Sequence, residues 1–147
     1  MGQGVAKIWT APDAIGDAER LSCAVSMIAA RNALHGPLPS EILHDPALGI
    51  LLQLFVASSG DQYLSLSQLS ERTNVSRSVA LRWLKVLEYA GTVSINDETA
   101  DNPTPSLSAQ GVDEMNAAMS AVINSQITLH GQHDDQRTAE KSVRSVT

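Results

Sequence analysis

The stretch "SRSVALRWLKVLEYAG" sets three cations, Arg77, Arg82 and Lys85, among two hydroxyls near its start, Ser76 and Ser78. Laid on a helix at about 100° per residue, Arg77, Ser78, Leu81, Arg82, Lys85, Glu88 and Tyr89 fall within roughly 0 to 140° of Arg77. Val79, Ala80, Trp83, Leu84, Val86, Leu87 and Ala90 fall within roughly 180 to 340°. The second arc is apolar enough to be buried, which leaves the first to solvent or a partner. A guanidinium on such an arc can make a forked contact to O6 and N7 of guanine, each pair giving ~1–3 kcal/mol of discrimination. Serine hydroxyls beside the free amides of a helix N-terminus suit phosphate oxygens or base edges. Leu81, the one aliphatic side chain on the polar arc, suits a thymine methyl or a deoxyribose. Ser76, Arg77, Ser78, Leu81, Arg82 and Lys85 are therefore the candidate contact set for double-stranded DNA. A basic arc is also what any solvated amphipathic helix presents, so the neighbouring elements must decide.

Those neighbours favour DNA. Ser67 is placed to cap a short helix running to about Thr73, "TNVS" reads as a turn, and Ser76 caps the helix just described. Gly91 stands where a left-handed residue closes a helix. Two short helices joined by a tight turn make a helix-turn-helix over residues 65–91. "TVSI" alternates as a half-buried strand, and "TPSL" returns as a second, with Pro105 restricting it to an edge. This hairpin, over 92–107, is the wing of a winged helix. "QYLSL" reads as one further short strand.

Ahead of this core, "DAERLSCAVSMIAARNAL" reads as a helix capped by Asp17 and stopped by Gly36-Pro37. "PALGILLQLFVAS" begins with Pro46 after Asp45 and is apolar nearly all round, as a central buried helix is. After the wing, Ser108 caps a last helix over 109–129, where Val112, Met115, Met119 and Val122 follow a 3-4 spacing. Leu21, Val25 and Ile28 on the first helix and Val112, Met115, Met119 and Val122 on the last are the candidate dimerisation residues. Residues 1–16 read as a flexible arm, and the polar, aperiodic 130–147 as a disordered tail. The expected architecture is mainly α with a small β-hairpin, one domain over 17–129.

The chain holds 147 residues with a formal net charge of −6. That charge is segregated. Residues 62–96 carry Arg72, Arg77, Arg82 and Lys85 against Glu71 and Glu88, whereas eight acids and three bases follow from Asp97 onward. The net-positive region is the one that contains the helix-turn-helix. No apolar run approaches the ~18–20 residues that span a bilayer, and no secretory signal is visible. A single cysteine, Cys23, fits a reducing cytoplasm.

Cys23 reads first as a small buried residue, and as a peroxide sensor only if Arg20, one turn away, lowers its pKa. His35, His44, His130 and His133 are too scattered for a metal site. No phosphate-binding glycine pattern, nucleophile elbow or zinc motif occurs, so no enzyme, cofactor or metal is expected.

Taken together, "LSLSQLSERTNVSRSVALRWLKVLEYAGTVSI" and "LSAQG" resemble the winged-helix core of MarR-type bacterial transcriptional regulators. The likeness covers about residues 45–119, and its most specific pieces are "ALRWLKVLEYAG" and "LSAQG". It implies a homodimer built by the N- and C-terminal helices, which binds a pseudo-palindromic site through paired recognition helices and wings. It also implies regulation by a small-molecule effector or an oxidant. Such wings place an Arg at the tip to enter the minor groove. Here Asp101 is followed by Asn102-Pro103, and no Lys or Arg lies between Lys85 and Arg137. An acidic tip loses that cation and adds repulsion near phosphate. The expectation is a homodimeric, sequence-specific regulator reading DNA through 76–90. The alternative is a winged helix turned protein-interaction module, with weak or lost DNA binding.

Overall fold

The computed structural model describes residues 15–39, 43, 45–96 and 100–146, and of 130–146 the backbone alone. The expected arm at 1–14 lies outside the described residues, as do His44 and the side chains of His130 and His133. Five helices and one antiparallel hairpin make up the described chain: α1 (Asp17–Leu34), α2 (Pro46–Ser59), α3 (Leu66–Thr73), α4 (Arg77–Tyr89), β1 (Val93–Asn96), β2 (Thr104–Leu107) and α5 (Ala109–Val146). The mainly α, winged-helix expectation holds.

Helix α2 is the central element, because an apolar surface on nearly all sides can only be satisfied by packing on nearly all sides. Its Ile50, Leu54 and Ala57 enter one core cluster with Leu64, Leu66, Leu69, Ala80, Leu84, Val93 and Ile95, which joins the helix-turn-helix to the wing. Its Leu52 and Phe55 enter a second cluster with Ala24, Met115 and Met119, which joins α1 to α5. Met115 and Met119 are thus buried within their own chain, 4% and 1% exposed. This corrects their assignment as a dimer surface: the 3-4 spacing finds a helix partner, but that partner is intramolecular. Leu21, Ile28, Val112 and Val122 are half-buried and Val25 is exposed.

The caps show which local signals won. Asp45 accepts from the Leu48 amide ahead of Pro46, and Ser76 accepts from the Val79 amide. At α1 the N-cap is Gly16, not Asp17. The Glu19 carboxylate accepts from the Gly16 amide, freeing Asp17 to pair with Arg20 at 2.6 Å. At α3 the cap is Ser65, not Ser67. Ser65 Oγ accepts from the Gln68 amide and Gln68 Oε1 accepts from the Ser65 amide, a reciprocal box that Ser67 has no partner to form. Asn74 closes α3 in the left-handed region (φ 57°), and Gly91 follows α4 with φ 85°.

The strands pair with Val93 opposite Leu107 and Ile95 opposite Pro105. The segment around Leu64 forms no third strand. Pro103 and Pro105 offer no amide to such a ladder, and what remains is one bond from the Leu66 amide to the Pro103 carbonyl, 2.8 Å. Ser108 then ties the start of α5 to the end of α4. Its Oγ donates to the Gly91 carbonyl at 2.6 Å and accepts from the Gly111 amide at 3.0 Å.

Helix α5 does not stop at 129 but runs to Val146. The expected disordered tail is corrected here. Residues 130–147 lack the apolar period that packing needs, yet they contain no Pro, and the central Gln136-Arg137 and Ala139-Glu140-Lys141 are good helix formers. Missing amphipathicity argues against burial, not against helicity.

Candidate nucleic-acid interface

Helix α4 is held by its buried side. Ala80 and Leu84 are fully buried, with Trp83 and Leu87 packed partly against the same core. This stripe follows the i, i+3, i+4, i+7 spacing and is narrower than the apolar arc read from sequence. Val86, placed on that arc, lies beyond its edge and is 51% exposed. Leu81, placed on the polar arc, is half-buried and packs partly on the core. A hydrophobic residue at the margin of a helix face is turned one way or the other by its tertiary neighbours.

On the open side stand Ser76, Arg77, Ser78, Arg82 and Lys85, all exposed. Arg82 and Lys85 have no salt-bridge partner among the described residues. Ser76 Oγ lies 3.2 Å from Ser78 Oγ, so the two hydroxyls form one polar group at the head of the helix. The structure therefore brings the predicted contact residues onto one solvent-facing side, with Leu81 at its inner margin. Val86 and Tyr89, the latter 97% exposed, extend that side with apolar surface.

Asp101 and Asn102, on the wing loop, lie close to the heads of α4 and α3. The Arg77 guanidinium donates to the carbonyl of Asp101, and the Asn102 side-chain oxygen accepts from the Ser67 amide at 3.0 Å. Sequence reading missed this engagement of Arg77. Its partner is a backbone carbonyl 24 positions away, which carries no residue signal.

Cys23 is half-buried on α1, its Sγ 4.0 Å from the Met119 carbonyl. Burial pushes its thiol pKa up. Arg20, the one cation considered for lowering it, instead donates to the Ile15 carbonyl and to Asp17. Among the described residues, no group of three or more His, Cys, Asp or Glu is placed to hold a metal ion. Among them, too, no helix is long and apolar enough to cross a membrane.

No protein-family model and no curated protein matches the chain. Solved structures do. A MarR family transcriptional regulator from Silicibacter pomeroyi is similar with a TM-score of 0.45 and 22% identity, over 83% of each chain. MepR, a transcription regulator of the Staphylococcus aureus multidrug efflux pump MepA, is similar with a TM-score of 0.46 and 11% identity, over 86% of this chain and 98% of its own. AF1382 from Archaeoglobus fulgidus is similar with a TM-score of 0.50 and 20% identity, over 58% of this chain and 93% of its own. At that identity the likeness to AF1382 is one of fold, and the fold is the one built above: a helix-turn-helix closed by a two-stranded wing.

Proposed function

We propose that this chain is a homodimeric, sequence-specific DNA-binding transcriptional regulator that places α4 in the major groove. The observation that carries this reading is the exposed side of α4. Arg82 and Lys85 stand there with no ion partner among the described residues, on the second helix of a helix-turn-helix, in a chain whose net charge is acidic elsewhere. Ser76 and Ser78 at the head of the helix suit phosphate or base edges, and Leu81 supplies a short apolar contact. The MarR-type resemblance of the sequence supports the same reading.

The dimer belongs to α1 and α5. With Met115 and Met119 enclosed, its surface rests on Val25, on the half-buried Leu21, Ile28, Val112 and Val122, and on Ile127 and Leu129, which are 62% and 59% exposed. A two-fold pair of this kind would set its recognition helices about one DNA turn apart, ~34–36 Å. The small-molecule effector implied by the resemblance has a cleft of about 410 Å³ available between α1, α2 and the α3–α4 turn, lined in part by Arg31, His35, Leu52 and Arg72.

Fluorescence anisotropy against a random-sequence DNA pool at ~50 and 200 mM salt tests the reading, with sequence selection from the same pool. Salt-dependent binding with an enriched half-site repeat supports it. No binding at either salt, and no enrichment, would favour the second reading, a protein-interaction module. That alternative draws on Val86 and Tyr89, which are apolar and exposed beside Lys85.

A further inference from the structure

Among the described residues, three bonds fasten the Asp101–Pro103 end of the wing loop, the wing tip, to the helix-turn-helix. The Leu66 amide donates to the Pro103 carbonyl at 2.8 Å, the Ser67 amide donates to Asn102 Oδ1 at 3.0 Å, and the Arg77 guanidinium donates to the Asp101 carbonyl. Leu66 and Ser67 form the first turn of α3, where helix amides have no intrahelical acceptor. The wing tip supplies those acceptors. Arg77, on the first turn of α4, then holds the tip from the other side.

We propose that Arg77 is a positioning residue that latches the wing tip to the heads of α3 and α4. On this assignment it does not read a base, and the reading set contracts to Ser76, Ser78, Leu81, Arg82 and Lys85. The charge pattern explains why a latch is useful. The wing carries Asp101 but no Lys or Arg of its own, since none lies between Lys85 and Arg137. Released beside a phosphate backbone, an acidic tip would be repelled and would weaken binding. A guanidinium donating to a carbonyl makes a charge-assisted bond, and delivering the same group to guanine O6 and N7 would break it. The proposal deepens the DNA-binding reading and rests on it only for the statement about bases.

Backbone amide exchange in the DNA-free protein tests the latch directly, because Leu66 and Ser67 are the donors to the wing tip. In Arg77→Ala, exchange at both should quicken by about tenfold, while Leu69, which bonds to the Ser65 carbonyl at 2.9 Å inside the same helix, should keep its parent rate. Arg77→Lys, which can still donate to the Asp101 carbonyl, should recover most of the protection. Parent rates at Leu66 and Ser67 in Arg77→Ala would overturn the latch. Equal acceleration at Leu69 would also overturn it, since that reports a frayed α3 instead. Sequence selection forms the second arm. Arg77→Ala should keep the parent's base preference, whereas loss of preference at one position makes Arg77 a reader and overturns the assignment. If the parent enriches no sequence, the DNA reading fails, and the exchange rates alone still decide the latch.

Discussion

A Cβ on Gly111 would lie 2.0 Å from the carbonyl oxygen of Thr92. That carbonyl also accepts the Ser108 amide at 3.0 Å, and Thr92 is buried. The first turn of α5 therefore sits directly on the residue that precedes β1, and only glycine fits the approach.

Gly111→Ala should destabilise the fold by ~3 kcal/mol, the upper end of what overpacking costs, because the obstructing atom is backbone and cannot rotate away. Urea unfolding followed by circular dichroism measures it. A midpoint equal to the parent's would mean that α5 can slide off Thr92 without loss.

The stability of the protein should decline at alkaline pH through Cys23. Burial raises its thiol pKa in the folded state. At neutral pH both states hold the proton and nothing is contributed. As pH climbs past the unfolded thiol's value, about 8.5, the unfolded chain ionises first and folding is disfavoured. Cys23→Ser should flatten that alkaline decline in a series of unfolding curves. The same burial predicts slow alkylation at pH 7, since the thiolate is the nucleophile, and rapid modification there would revive Cys23 as an oxidant sensor.

The elements legible in the sequence are those whose signal is local. Ser76, Asp45 and Ser108 cap the helices they precede, and Gly91 takes the left-handed conformation expected of it. The hairpin is legible because Val93 and Ile95 alternate with Ser94 and Asn96. Tertiary choices are less so. Met115 and Met119 have the spacing of a helix seam, but spacing does not say whether the partner helix belongs to the same chain. Val86 and Leu81 exchange exposure because each lies at the border of the α4 stripe, where a small rotation of the helix decides. The Arg77 latch engages a main-chain atom, so no side-chain pattern announces it.

Dimerisation should respond to the exposed apolar residues of α1 and α5 and not to the enclosed methionines. Val25→Ser with Ile127→Ser should shift the protein toward monomer in sedimentation velocity while leaving the helical signal intact. Met119→Ala removes a side chain buried with Ala24, Leu52 and Phe55, and should instead lower stability by ~2–5 kcal/mol. If the double substitution leaves the association state unchanged, the proposed dimer surface on α1 and α5 is wrong.

Arg82 and Lys85 should separate into a reader and an anchor. Arg82 lies one turn beyond Ser78 and carries a planar fork that matches guanine, so Arg82→Ala should relax preference at one base of each half-site by ~1–3 kcal/mol. Lys85, a compact charge further along α4, suits a phosphate. Lys85→Ala should weaken all sequences alike and flatten the dependence of log K on log salt by ~1 for each protomer in contact. Anisotropy titrations on a selected site and on scrambled DNA, across salt, measure both effects. A Lys85→Ala slope identical to the parent's would remove Lys85 from the interface, and an Arg82→Ala protein with unaltered base preference would place the reading elsewhere on α4.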